Sequence, residues 1–211
     1  MLGFLKMTKL DLFTIKPQFL SYLAVIPIAL MYGFMTHSPV AVISINIAWV
    51  EVLLLASIFA IQEKNGLDRL YGSLSMNLNE IILGRYIFAL FFYTISFIGS
   101  IGVFAILIRL NNISILDTLT GFCISLAYFS INTGIQFPIY FKLGYMKARF
   151  WFLFVFIPLL FVMLPLIPVL YDPPQWFQSN RYIIITVSIL ASFLIQFISY
   201  KISLIFYRNR I

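Results

Sequence analysis

Apolar residues run through this chain in blocks of about twenty, the length a helix needs to cross a hydrocarbon core of about 30 Å. Polar stretches separate the blocks, and the longest of them is QEKNGLDRLYGSLSMNLNEIILGRY, Gln62 to Tyr86. Six blocks qualify as spans: 18–35, 41–61, 86–108, 119–141, 150–170 and 182–198, the last continuing helically to Tyr207 with Lys201 reaching back toward the headgroups. Lipid gives an open backbone no hydrogen-bond partner, so blocks of this length imply helices. The predicted class is all-α: a polytopic membrane protein with six transmembrane helices, residues 1–211 forming a single transmembrane domain.

Before the first span, Leu2, Leu5, Leu10 and Phe13 alternate with Lys6, Lys9 and Asp11. That mixture predicts a short interfacial helix within residues 1–16, turned into the membrane at Pro17; a frayed basic tail is the alternative. No small-residue cleavage site follows, so the first span is expected to be retained.

Composition agrees with this pattern. Apolar residues make up 62% and charged residues 10%, against roughly 25% charge in a soluble domain. The net charge of +7 does not gather with aromatics on one face, so no nucleic-acid partner is expected. It sorts by loop instead. With both termini in the cytoplasm, only Arg109 and Arg181 of the fourteen basic residues fall outside, the asymmetry of the positive-inside rule. Cys123 is the single cysteine and lies in an apolar run, which rules out a disulfide or a thiolate metal site within one chain.

The missing chemistry narrows the function. No GxxxxGK[ST] phosphate loop occurs, so the chain is not expected to be an enzyme by itself and any ATP drive must come from a partner. The sole histidine, His37, sits in a short outer loop away from any HExxH pattern and reads as a surface polar residue. Glu51 is the one acid well inside a span, where a charge costs about 2.5–3.5 kcal/mol on insertion scales. It either faces a substrate path or gate, or bonds to a neighbouring helix. In the fourth span Gly121, Ser125, Tyr128, Asn132 and Gln136 recur on one helical face. Such a face either packs helices together or lines a path, with Ser125, Asn132 and Gln136 the candidate lining residues.

The 62–85 loop interleaves Glu63, Asp68 and Glu80 with Lys64, Arg69 and Arg85, and adds Leu67, Leu70, Tyr71 and Leu74 as an apolar helical face. Mixed charge around an apolar stripe suits a protein surface better than an anionic leaflet. The alternative is a solvated connection between two spans.

Two segments carry a resemblance. In the loop, Glu63-Lys64, Ser73-Leu74, Ile81-Ile82 and Gly84-Arg85-Tyr86 are similar to the first intracellular loop of the small six-span ABC-2 type permeases; Ser75 stands where a proline is usual and Leu78 where a basic residue is common. At the end of the fourth span, Pro138, Phe141, Lys142, Gly144, Lys147 and Arg149 resemble a second motif of that family. The resemblance implies a permease in a prokaryotic cell membrane, acting as a homo- or heterodimer with a second copy or paralogue. It also implies ABC ATP-binding subunits that carry ATP and Mg, this chain holding no cofactor or metal of its own. The 62–85 loop then forms a coupling helix that docks on the ATPase, through Glu63, Lys64, Leu67, Asp68, Arg69, Leu70, Tyr71 and Leu74. Among family members, the exporters of amphipathic or antimicrobial peptides, such as the phenol-soluble modulin exporter permeases, look closest. A bacteriocin or drug resistance permease, or a membrane scaffold or sensor without a path, are the other readings.

Overall fold

The computed structural model describes residues 3–16, 55–67, 77–111, 115–151 and 174–210. All regular structure among them is helical: α1 (Gly3–Ile15), α2 (Leu78–Asn111), α3 (Ile115–Leu143), the short α4 (Gln175–Ser179) and α5 (Arg181–Arg208). Helical stretches also cover 55–64 and 145–151. Three windows, Leu78–Ile95, Leu119–Leu143 and Arg181–Arg208, are long and apolar enough to cross a membrane. They correspond to the third, fourth and sixth expected spans. The first span lies outside the described residues, as do most of the second and fifth, of which 55–61 and 150–151 are described and helical.

α5 has the residue distribution of a lipid-facing helix. Its buried residues are Ser188, Ser192, Gln196, Ser199, Ser203 and Tyr207, while Ile183, Val187, Phe193, Phe197 and Ile205 are exposed. Polar inside and apolar outside inverts the order of a helix in water and is favourable in hydrocarbon, where small polar residues bond helices together.

The partner of that polar face is α3. Pro138 lies inside α3 and has no N–H, so the Gly134 carbonyl four residues back lacks its intrahelical donor. Ser199 of α5 supplies one, its Oγ donating to Gly134 O at 2.7 Å. Gly134 also permits the approach, since a Cβ there would stand 2.6 Å from Ile195 Cγ2. One turn earlier, Gln196 Nε2 donates to Thr133 Oγ1 at 2.7 Å. Replacing Ser199 by alanine is expected to leave the Gly134 carbonyl orphaned. The cost should be about 1–3 kcal/mol, read as a lower thermal midpoint of the detergent-purified protein.

α2 begins at Leu78, so residues 78–85, expected as loop, are its first turns. The start is fixed by a cap: Ile81 N–H donates to the Asn77 carbonyl at 3.2 Å, and the Glu80 carboxylate reaches back to the Asn77 N–H, also at 3.2 Å. This is the reciprocal half of a capping box, readable as N-x-x-E in Asn77-Leu78-Asn79-Glu80.

The N-terminal segment is helical, as expected, and it is docked rather than frayed. Met7, Thr8 and Asp11 are buried, whereas Leu5, Leu12 and Phe13 stay exposed with Lys6, Lys9 and Lys16. Gly84 makes the docking possible: a Cβ there would stand 2.7 Å from Met7 Cβ and 2.9 Å from Phe4 O. Thr8 Oγ1 donates to Gly84 O at 3.2 Å and closes the seam.

Candidate functional site

The three consecutive residues Gly84, Arg85 and Tyr86 near the start of α2 each engage a different set of elements. Gly84 seats α1, as described above. Tyr86 turns to α5, its hydroxyl hydrogen-bonded with Ser199 and, at 2.9 Å, with Ser203. Its ring meets Phe137 of α3 edge-on at 4.9 Å.

Arg85 reaches three elements at once. Its side chain is 2% exposed, with Nε 3.8 Å from Asp11 Oδ2 of α1. The guanidinium carbon lies 4.3 Å from the centroid of Phe59, on the helical stretch that leads into the 62–85 loop, and 5.7 Å from that of Phe141, at the end of α3. Phe59 and Phe141 also touch, their centroids 5.3 Å apart and rings nearly perpendicular, and Phe141 meets Tyr207 of α5 at 5.2 Å. A flat cation over aromatic faces gains from the ring quadrupoles, and more so away from water. The helical stretch that leads into the connection, at Phe59, and the first turns of α2 that follow it, at Arg85, are therefore held together by one side chain.

Burial pushes the Asp11 carboxyl up to about 6, the Arg85 charge opposing the rise. The ordinary value is 3.8, so between about pH 4 and 6 the folded chain holds a proton that the unfolded chain has released. Stability from this group accordingly falls as pH rises through that window and levels off above it. The expected loss is about 3 kcal/mol for a shift of about two units. A titration of thermal midpoint against pH should show this slope in the wild type and not in Asp11→Asn.

A second contact joins the two motif-bearing segments. Glu63 Oε2 accepts a hydrogen bond from Met146 N–H at 2.9 Å, in the first turn of the 145–151 helix. A carboxylate at a helix N-terminus meets both free N–H groups and the positive end of the dipole. Gly144 makes the corner with φ +75°, a left-handed conformation that ends α3 while its carbonyl accepts from Ala148 N–H. From the chain's C-terminal end, Arg210 Nη1 donates at 3.4 Å to the Tyr140 and Phe141 carbonyls in the last turn of α3. Glu63, Arg210, Gln62, Tyr145 and Tyr207 border a small open cleft there.

The expected site residues distribute as follows. Glu63 makes the contact just given, Lys64 is exposed, and Leu67 packs half-buried against the core. Asp68, Arg69, Leu70, Tyr71, Leu74 and Glu51 lie outside the described residues. Ser125, Asn132 and Gln136 are all buried along one face of α3. Ser125 is hydrogen-bonded with Tyr93 of α2, Asn132 Nδ2 donates to the Tyr128 carbonyl at 2.9 Å, and Gln136 Nε2 donates to Tyr140 OH at 3.0 Å. Asn132 Oδ1 has no hydrogen-bond partner among the described residues.

Asp11, the Gly84-Arg85-Tyr86 joint and the polar face of α5 were not among the expected site residues. The α5 face had a visible signal, since positions 188, 192, 196, 199, 203 and 207 follow helical spacing. Asp11 had none, because a single acid in an interfacial helix is an ordinary surface residue until its partner is known. Among the described residues, no group of three or more His, Cys, Asp or Glu side chains could hold a metal ion.

Residues 6–208 match the family described as ABC-2 family transporter protein. No curated protein and no solved structure matches the chain.

Proposed function

The chain belongs to the ABC-2 transporter family and is a membrane permease component that itself lacks the ATPase site, and from that premise we propose that it is the membrane subunit of an ATP-driven exporter of amphipathic or antimicrobial peptides. The family implies an ATP-binding partner subunit. In this reading the basic end of the bundle is cytoplasmic, both termini lie there, and two permease chains pair in a prokaryotic plasma membrane. α1 lies in the headgroup layer with Leu5, Leu12 and Phe13 toward lipid.

One observation carries the coupling part of the reading: Gly84, Arg85 and Tyr86 join the end of the 62–85 loop to α1, to the stretch before the loop, and to α3 and α5. A push received on the loop has packed side chains through which to reach every described span, and packed interfaces move as units rather than deforming continuously. Leu67, Asp68, Arg69, Leu70, Tyr71 and Leu74 form the surface that meets the ATPase, flanked by Glu63 and Lys64.

Ser125, Asn132 and Gln136, with Glu51, line the path or its gate. Asn132 Oδ1 supports this, since a buried acceptor without a donor among the described residues calls for water or a passing donor. The peptide substrate is supported by resemblance in loop sequence alone.

Co-purification is the test. Gently solubilised from a prokaryotic membrane, the protein should bring down an ATP-binding subunit. Charge reversal at Glu63 or Arg69 should lower export of a fluorescent amphipathic peptide from reconstituted vesicles. Absence of any ATP-binding subunit, together with unaltered export in both variants, would defeat the reading.

A further inference from the structure

α1 is keyed to α2 by close packing and the Thr8 hydrogen bond at Gly84, and the same helix also buries a charge. Asp11 is 1% exposed, and its Oδ2 stands 3.8 Å from Arg85 Nε, too far for a hydrogen bond. A strut would be built differently. A stabilising buried pair makes close, bidentate contacts that offset the loss of water, whereas a long single contact does not. Burial accordingly outweighs the attraction of Arg85 and holds the Asp11 carboxyl up at about 6, so its negative charge is kept at neutral pH against the preference of the fold. Groups held against local preference cluster where a protein changes state.

The position of the pair fits such a change. Arg85 stands in the first turns of α2, just after the connection, over Phe59 on the helical stretch before it and near Phe141 beside the Gly144 corner. Any movement of the loop relative to α3 shifts the aromatic surfaces around the guanidinium. Asp11 is the acid that pairs with it across the seam to α1.

We infer that Asp11 and Arg85 are positioning residues of the transport cycle: their ion pair is a breakable link that makes the N-terminal helix follow the coupling loop. This inference rests on the permease reading above. α1 is then a moving part of the coupling apparatus, and Asp11 acts through Arg85 without touching substrate or nucleotide.

The test uses the intact complex with its ATP-binding subunit in proteoliposomes, carrying spin labels at Lys9→Cys and Lys147→Cys in a Cys123→Ala background. Both labelled positions are exposed, and Cys123 is buried. The distance between labels is compared in the nucleotide-free and ATP-vanadate-trapped states. For the unmutated pair it should shift on trapping. In Asp11→Asn the shift should be lost, while the ATP-binding subunit still co-purifies and the thermal midpoint at pH 7.5 is equal or higher. Arg85→Lys keeps the charge but not the flat stacking surface, and should show a reduced shift.

Retention of the full shift in both variants would overturn the inference. So would a lowered thermal midpoint in Asp11→Asn accompanying the lost shift, because that marks a structural support. If the complex with the unmutated pair hydrolyses ATP without any shift, the inference fails and the permease reading stands. If that complex fails to form at all, both fail.

Discussion

Arg85→Ala is expected to lower stability by about 3–5 kcal/mol, the range for removing one partner of a buried ion pair. Three losses combine. Asp11 is left 1% exposed with no countercharge at Nε distance, and Phe59 and Phe141 lose the guanidinium over their rings. The volume of a side chain that is itself 2% exposed is vacated among aromatic rings that cannot collapse freely. Part of the electrostatic loss is recoverable, since Asp11 can take up a proton. Without Arg85 the carboxyl takes up its proton at a higher pH than in the wild type, so the deficit should narrow as pH falls from 7.5 toward about 6 and level off below it, where the carboxyl is neutral in both. Thermal midpoints at pH 5 and pH 7.5 check both the size and the narrowing. A deficit below about 1 kcal/mol at pH 7.5 would mean that the joint is not held by this side chain.

Gly134→Val should be the most damaging single change between the spans. The first added carbon would stand 2.6 Å from Ile195 Cγ2, and a valine adds two more on a stiff χ1. α5 has to move away, and movement there breaks the Ser199 bond to the Gly134 carbonyl that Pro138 leaves without a helical donor. Overpacking costs about 1–3 kcal/mol and an orphaned, part-buried carbonyl about 1 more, so a loss on the order of 3 kcal/mol is expected. Ile195→Ala in the same chain removes the colliding methyl and should restore part of it. A double-mutant cycle on thermal midpoints measures this coupling. Strictly additive losses would show that the two helices do not meet at Gly134 as described.

Much of the architecture was legible from periodicity. Hydropathy located the helices expected as the fourth and sixth spans, and α3 and α5 run only a few residues past the expected ends. The expected face of the fourth span is buried at Ser125, Asn132 and Gln136, because helical spacing reports a common face whatever lies opposite. What spacing cannot report is the identity of the partner. The contacts that make the joint connect Asp11 with Arg85, Tyr86 with Ser199, and Glu63 with Met146, pairs far apart in sequence with no local signature. Resemblance marked Gly84, Arg85 and Tyr86 as a motif without indicating why the three stand together. The early start of α2 differs in kind: its capping residues Asn77 and Glu80 are local in sequence, but hydropathy alone starts the helix only where the polar residues end.

Glu63 shows how an expectation can be refined by geometry. It was expected at the ATPase surface for its charge, and its carboxylate is engaged by the Met146 N–H at the Gly144 corner. An acid there can bear on both: it sets the angle between the loop and the end of α3, and it borders the exposed Lys64. The coupling reading therefore predicts that residues deeper in the loop carry the contact with the partner.

Site-specific cross-linking tests that account most directly. A photoreactive residue placed at Arg69, in the assembled transporter, should cross-link to the ATP-binding subunit, while one at the exposed Trp176, just before α5, should not. Capture of the ATP-binding subunit from Trp176 and not from Arg69 would contradict both the orientation and the role of the 62–85 loop.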